Sequence, residues 1–340
     1  MRLWCMKMLR SHGLPGEDMH RLIAVLIGGL LALSAQAAHA QSYPSEPIRI
    51  IVPFPPGGNV DVTARLVAPV MSQLLGQPVV IDNRTGAGGL VGTAAALSAK
   101  PDGHTLLMGS TGTLTVGPNT FPNWPHDPIK GITPISNIQF VPLVLIVKAD
   151  SPIKSVQELV QLAKEKPEQI AGAGGGVGTA NHLSAELFQI LTGTKFLLVS
   201  YRGAAPAMND LIAGHVQFFF DQASTSLPQV QGGTIRALAV TSPRRWPGLP
   251  DTPTFTELGL EKFQVLNVCG LVGPPGLDPS IVEKLRDATV KALANPAVRE
   301  GFAKLGVEID GSDPQAFAAF NKEDLERWAR VIVEGKVKIK

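Results

Sequence analysis

The sequence predicts an α/β fold with largely parallel sheets. Short β-branched and apolar runs alternate with segments of helical period almost throughout its 340 residues. Glycine-rich turns follow several of those runs and open the next helix. Helix starts and stops carry capping residues.

In order, Ile48–Val52 (IRIIV) reads as a buried strand, followed by a helix from about Asp61 to Leu75. Pro78–Asp82 is the next strand, then a glycine turn, a helix near 90–99 and a strand over His104–Gly109. Phe140–Ala149 (FVPLVLIVKA) is another strand. Ser155-Val-Gln-Glu158 is a capping box, in which the serine side chain accepts from the Glu158 backbone. Val156, Leu159, Val160 and Ala163 give that helix its buried face. Strands are expected over 169–174, 195–200, 216–221 and 235–241, separated by helical patterns. Asp278-Pro279 and Asp313-Pro314 start helices that run to about Leu305 and Glu334, stopping at Gly306 and Gly335.

Residues 1–40 read as a secretory signal peptide. The apolar run Leu22–Ala40 follows Arg21 and ends in the small-x-small pattern Ala38-His39-Ala40, which predicts cleavage after Ala40 and a periplasmic product. Met19 competes with Met1 as the start, because Glu17 and Asp18 are unusual in such a leader. The leader takes four of the 30 Lys+Arg and two of the 28 Asp+Glu, so the exported chain carries 26 of each. A neutral chain gives no support for a nucleic-acid or anionic-membrane partner. Cys269 is the lone cysteine after cleavage, so the fold is held by its own core, as one large domain or two lobes.

The residues point to binding and not to catalysis. His104, His126, His182 and His215 stand at no metal-ligand spacing, and no serine lies in a nucleophile elbow. Cys269, in the apolar run LNVCGLVG, reads as a core thiol. No metal or cofactor is expected. Three glycine turns, at 57–58, 86–92 and 172–178, each precede a helix. A single such turn needs only the positive φ that glycine tolerates. Three together predict a shared anion pocket built from backbone N–H groups at helix N-termini.

The stretches IVPFPPGGNVDVTARLVA, VVIDNRTGAGGLVGTAAALSAKPDGHTLLMGS, GVGTANHLSAELF, VSYRGAAPAMNDLIAGHVQFFFD and IRALAVTSPRRWPGLPDTPTFTELG resemble the periplasmic solute receptors of tripartite tricarboxylate transporters, the Bug receptors. The resemblance runs from about Pro44 to the C-terminus. It implies a type II-like clamshell, each lobe a mostly parallel sheet flanked by helices. Lobe one would comprise 41–145 and 265–340, and lobe two 146–264. The implied function is that of a monomeric, non-enzymatic receptor for a small carboxylate, delivering it to membrane transporter subunits or to a sensor protein. An exported α/β hydrolase and an interaction module with a vestigial pocket are the alternatives.

Carried over by the resemblance, the lobe-one grip would use Phe54, Gly57, Gly58 and Asp61, then Asn83, Gly86, Ala87 and Gly88, with Ser110 and Thr111 nearby. Lobe two would offer Gly178, Thr179, Tyr201, Arg202, Pro206 and Asp221. Asp61 reads equally as a helix N-cap. Asp221 is the candidate acceptor for a ligand hydroxyl or ammonium. Gly174 and Gly175 stand where the family often has serines, and Val268-Cys269 where it often has aromatics. Both departures predict a larger or less polar cleft.

Overall fold

The computed structural model describes residues 43–334. The leader over 1–40 and the stop at Gly335 lie outside the described residues. Only Tyr43–Ser45 are described of the first unit of the chain, and the fold below is that of the unit beginning at Glu46.

Strand β1 (Ile48–Val52) is buried except at Arg49 and pairs in parallel with β2 (Val79–Asn83) and β3 (Thr105–Ser110). Helix α1 (Asn59–Leu75) starts two residues before the expected Asp61, because Gly58 and not Asp61 is its N-cap. It ends at Gly76, whose φ of 72° closes the last turn. Helix α2 (Leu90–Leu97) leads to β3.

Strand β4 (Thr133–Lys148) spans 16 residues, seven more N-terminal than the apolar run at 140–149 suggests. Its first part carries Ser136, Asn137 and Gln139, which interrupt the apolar pattern yet are buried. Over Thr133–Pro142 it pairs antiparallel with β9 (Leu266–Gly273). From Leu143 onward it pairs antiparallel with β7 (Phe218–Gln222) and β8 (Ile235–Val240). Strand β5 (Ala171–Gly174) pairs in parallel with β6 (Leu197–Ser200) and β7. The path is β2-β1-β3-β9-β4-β7-β5-β6, with β8 and β10 (Glu308–Ile309) also on β4. The expected parallel pairs form the outer parts of both lobes, while β4 and β9 run against them, so the sheet is mixed.

The remaining helices of eight residues or more are α3 (Val156–Glu165), α4 (Ala180–Thr192), α5 (Ala204–Ala213), α6 (Ala223–Gln231), α7 (Pro279–Ala294), α8 (Pro296–Lys304) and α9 (Pro314–Glu334). Ser155 caps α3 by accepting from Glu158 N at 3.1 Å, and the Glu158 carboxylate accepts from Lys154 N at 2.6 Å. The single helix expected from Pro279 to Leu305 is two. Asn295, forced out of helical geometry by the following proline, takes ψ 131° and caps α8 through Ala297 N at 3.0 Å.

The three phenylalanines of β7 show how the second lobe is packed. Phe218 and Phe220 face a cluster with Phe188, Phe255, Phe263 and Trp328, the last brought in by α9. Phe219 faces the other side, against Val144, Ile146, Met208 and Leu211. A strand covered on both faces reads as an unbroken apolar run.

Candidate functional site: a cleft where helices begin

The loops at the ends of β1, β3, β5 and β7 meet in a cleft. Its cavity is lined by Phe54, Pro55, Gly58, Asn59 and Val60 after β1, and by Ser110 and Gly112 after β3. Gly175, Thr179, Ala180 and Asn181 after β5 form the opposite wall, with Ala204 and Gln222, and Asn267 of β9 lines the cavity beside β3. None of these lining residues carries an ionisable side chain. Among the described residues, helices α1, α4, α5 and α6 begin at this cavity, through Asn59, Ala180, Ala204 and the cap Gln222. First-turn N–H groups have no partner within their own helix, and the helix dipole is positive there. The caps of α1 and α5 are Gly58 and Gly203, which bring no side-chain acceptor, and Gln222 makes no capping bond. Thr179 does cap α4, accepting from His182 N at 3.3 Å. The cleft is therefore electropositive without a cation.

The cavity is about 30 Å³, space for a water or two and not for an organic acid. The walls are in close approach around it. A Cβ on Gly88 would lie 2.1 Å from the Val177 carbonyl oxygen, and one on Gly203 would lie 2.6 Å from Pro55 Cδ. Glycine at these positions lets the two lobes touch.

The first loop is braced from behind. Gly57 N donates to Asp61 Oδ2 at 2.9 Å, Arg65 Nε donates to the same atom at 2.9 Å, and Asn83 Nδ2 donates to Oδ1 at 2.9 Å. Asn83 Nδ2 also donates to Phe54 O at 3.0 Å, tying β2 to the loop. Burial alone would raise the Asp61 carboxyl, but the hydrogen bonds from Arg65, Gly57 and Asn83 outweigh it and hold it below its ordinary range.

Of the residues expected at the site, Phe54, Gly58, Ser110 and Thr179 lie on the cavity wall. Asp61 and Asn83 form the brace. Gly57 and Asp221 line an adjoining cavity of about 270 Å³, and Ala204 lines both spaces. Asp221 is fully buried, and its Oδ2 accepts from Thr225 Oγ1 at 2.6 Å and Ser226 Oγ at 3.2 Å. Its Oδ1 finds no partner among the described residues, and burial pushes the carboxyl up to about 6 against those hydrogen bonds. Gly86, Ala87 and Gly88 form the turn that meets Val177. Thr111 Oγ1 accepts from Val268 N at 2.9 Å, and Gly178 abuts Phe121 and Thr120. Tyr201 donates to Asp210 Oδ2 at 2.6 Å, Arg202 is exposed, and Pro206 is half-buried in α5.

Four amide side chains on the wall have no counterpart in the sequence reading: Asn59, Asn181, Gln222 and Asn267. Asn181 and Gln222 hold each other, Gln222 Nε2 donating to Asn181 Oδ1 at 3.0 Å, while Asn181 Nδ2 donates to Phe220 O at 2.7 Å. Asn59 Nδ2 and Asn267 Nδ2 are buried without a partner among the described residues. The available signal was a polar residue at the end of a buried run, as in LNVCG and FFFDQ. Of the two departures expected to reshape the cleft, Gly175 is on the wall, whereas Val268 and Cys269 stand off it in the core. Burial pushes the Cys269 thiol up to about 12, which leaves it protonated and unreactive.

Two lobes sharing crossing strands, with loops converging on an interlobe cleft, define a periplasmic solute-binding protein. The solved structure of the periplasmic binding protein BugD superposes with a TM-score of 0.84 at 34% identity, covering 87% of this chain and 99% of that one. Residues 63–337 match the tripartite tricarboxylate transporter family receptor, and the chain belongs to that family. It is 37% identical to Protein BugT of Bordetella pertussis over 95% of this chain and 100% of that protein. MatC from Rhodopseudomonas palustris, solved with bound malate, superposes with a TM-score of 0.83 at 32% identity, over 85% of this chain and 100% of MatC. Among the described residues no helix is long and apolar enough to cross a membrane.

Proposed function

We propose that this protein is a periplasmic receptor that encloses a small carboxylate between its lobes and delivers it to tripartite tricarboxylate-type transporter subunits or to a sensor. The observation that carries the reading is the convergence of four helix N-termini on a cavity without an ionised side chain. Such a site neutralises an anion with backbone dipoles and needs no arginine. The malate bound to MatC supports the ligand class. The leader ending at Ala40 supports export. The lobe boundaries near 145 and 265 are supported by the change of partners along β4 at Pro142–Leu143 and by the start of β9 at Leu266. Phe54, Gly58, Ser110 and Thr179 contact the ligand, Asp61 and Asn83 hold the first loop, and Asp221 serves a hydroxyl or ammonium from the adjoining cavity.

Thermal-shift and calorimetric titration of the mature chain with mono-, di- and tricarboxylates and aromatic acids tests this reading. At least one acid is expected to raise the melting temperature. Ligand at about a hundredfold over its Kd should add about 2.7 kcal/mol of stability. No shift with any acid would overturn the receptor reading, and turnover of a bound acid would favour a hydrolase.

A further inference from the structure

We propose that the side-chain amides of Asn59 and Asn267 are the donors that seize one ligand carboxylate and exclude cationic groups from its place. The inference rests on the receptor reading above and goes beyond it to named side chains.

The orientation of Asn59 follows from its neighbours. Thr63 Oγ1 donates its only proton to Asn59 O at 2.7 Å, so it can only accept from Gln139 Nε2, also at 2.7 Å. Gln139 therefore presents its NH₂ end, and the oxygen that receives it at 2.8 Å must be Asn59 Oδ1. Ser224 Oγ donates to that same oxygen at 2.7 Å. The carboxamide is thus fixed with its Nδ2 left over, in a residue that is 4% exposed and lines the cavity.

Asn267, on β9 and 1% exposed, lines the same cavity, and its Nδ2 likewise has no partner among the described residues. A buried NH₂ without an acceptor is costly, and two in a space of this size call for a shared one. An ionised carboxylate accepts from both and donates to neither, and its charge suits the helix N-termini around it. An ammonium, which has donors and no acceptor, would set donor against donor there.

The test is N59D and N267D, measured by calorimetry with the acid that binds most tightly in the panel, at pH 7.5. Asn59→Asp keeps an oxygen toward Gln139 and Ser224 and changes only the unpartnered nitrogen into a charged acceptor. Each variant is expected to lose about a hundredfold or more in affinity. Binding within about threefold of wild type by both variants would overturn the assignment while leaving the receptor reading intact. No binding of any acid by wild type would overturn the receptor reading, and this inference with it. A readout that needs no variant is the side-chain amide region of a ¹H–¹⁵N spectrum of wild type. Two asparagine NH₂ pairs should move downfield on saturation, and an unchanged spectrum would overturn the assignment even if N59D failed to fold.

Discussion

Ser224 Oγ donates to Asn59 Oδ1 at 2.7 Å, joining the first turn of α6 in one lobe to the first residue of α1 in the other. Both residues are buried, and with the lobe bounds proposed above the bond forms as the lobes meet. It links closure to the residue whose free amide faces the cavity. Ser224→Ala removes the donor and leaves Asn59 held by Gln139. One hydrogen bond of this kind contributes about 0.5–1.5 kcal/mol, so S224A should bind the acid roughly three- to tenfold more weakly. Calorimetry reads the change, and an unaltered Kd would show that the closed state does not depend on this bond.

Closure also depends on where no side chain stands. Gly203 has φ 169°, extended backbone that alanine adopts without strain, yet a Cβ there meets Pro55 Cδ at 2.6 Å. Gly203→Ala should therefore fold normally and fail to close fully. The expected result is an unchanged melting temperature without ligand and at least tenfold weaker binding. Small-angle scattering should show the compaction of wild type on ligand addition and little of it in the variant. Equal compaction of both proteins would refute the steric argument.

Much of the fold was legible because its signals are local. β1 is an apolar run broken only by the exposed Arg49 and ended by a proline-glycine turn, and its bounds follow from that contrast. The start of β4 was not legible, since Ser136, Asn137 and Gln139 look like loop residues until their partners are known. Asn137 Nδ2 donates to Asp310 and Gln139 to Asn59 and Thr63, residues far away in sequence. The same distinction divides the site. Glycine turns before helices announce the backbone half of the cavity wall. The side-chain half comes from positions 59, 181, 222 and 267, which share no period or motif and meet only after the sheet is assembled.

Asp221 gives the pH dependence of one buried carboxyl. Burial raises its value in the folded state from 3.8 to about 6, above that of the unfolded chain. The protonated form therefore favours folding, and that contribution is complete below about pH 4 and lost as pH rises through about 6. Asp221→Asn mimics the neutral form, keeping an acceptor for Thr225. The variant should be about 1–3 kcal/mol more stable than wild type at pH 7.5, with the difference closing below about pH 4. Denaturant melts across that range check it, and a pH-independent difference would place the effect elsewhere.

Asp61 has the opposite sign. Its carboxyl is buried too, but donors surround it: Gly57 N and Asn83 Nδ2 at 2.9 Å each, and Arg65 from the next turn of α1. These hold the folded value below that of the unfolded chain, despite the burial that opposes them. Its stabilisation is present above the ordinary carboxylate range and is lost as pH falls through the lowered folded value. The Arg65 bond lowers the value most, followed by those from Gly57 and Asn83, but Arg65 is half-exposed and its charge is screened, and only Gly57 and Asn83 tie the carboxylate to the loop. Asp61→Asn should cost about 2 kcal/mol at pH 7. The penalty should shrink in acid, where wild type loses the same charge. Because the lost bonds hold the loop carrying Phe54 and Gly58, D61N should also weaken acid binding. Arg65→Gln, which leaves Gly57 N on the carboxylate, should bind nearly as wild type does. Equal losses in the two variants would mean that the charge pair, and not the backbone bond to Gly57, shapes the loop.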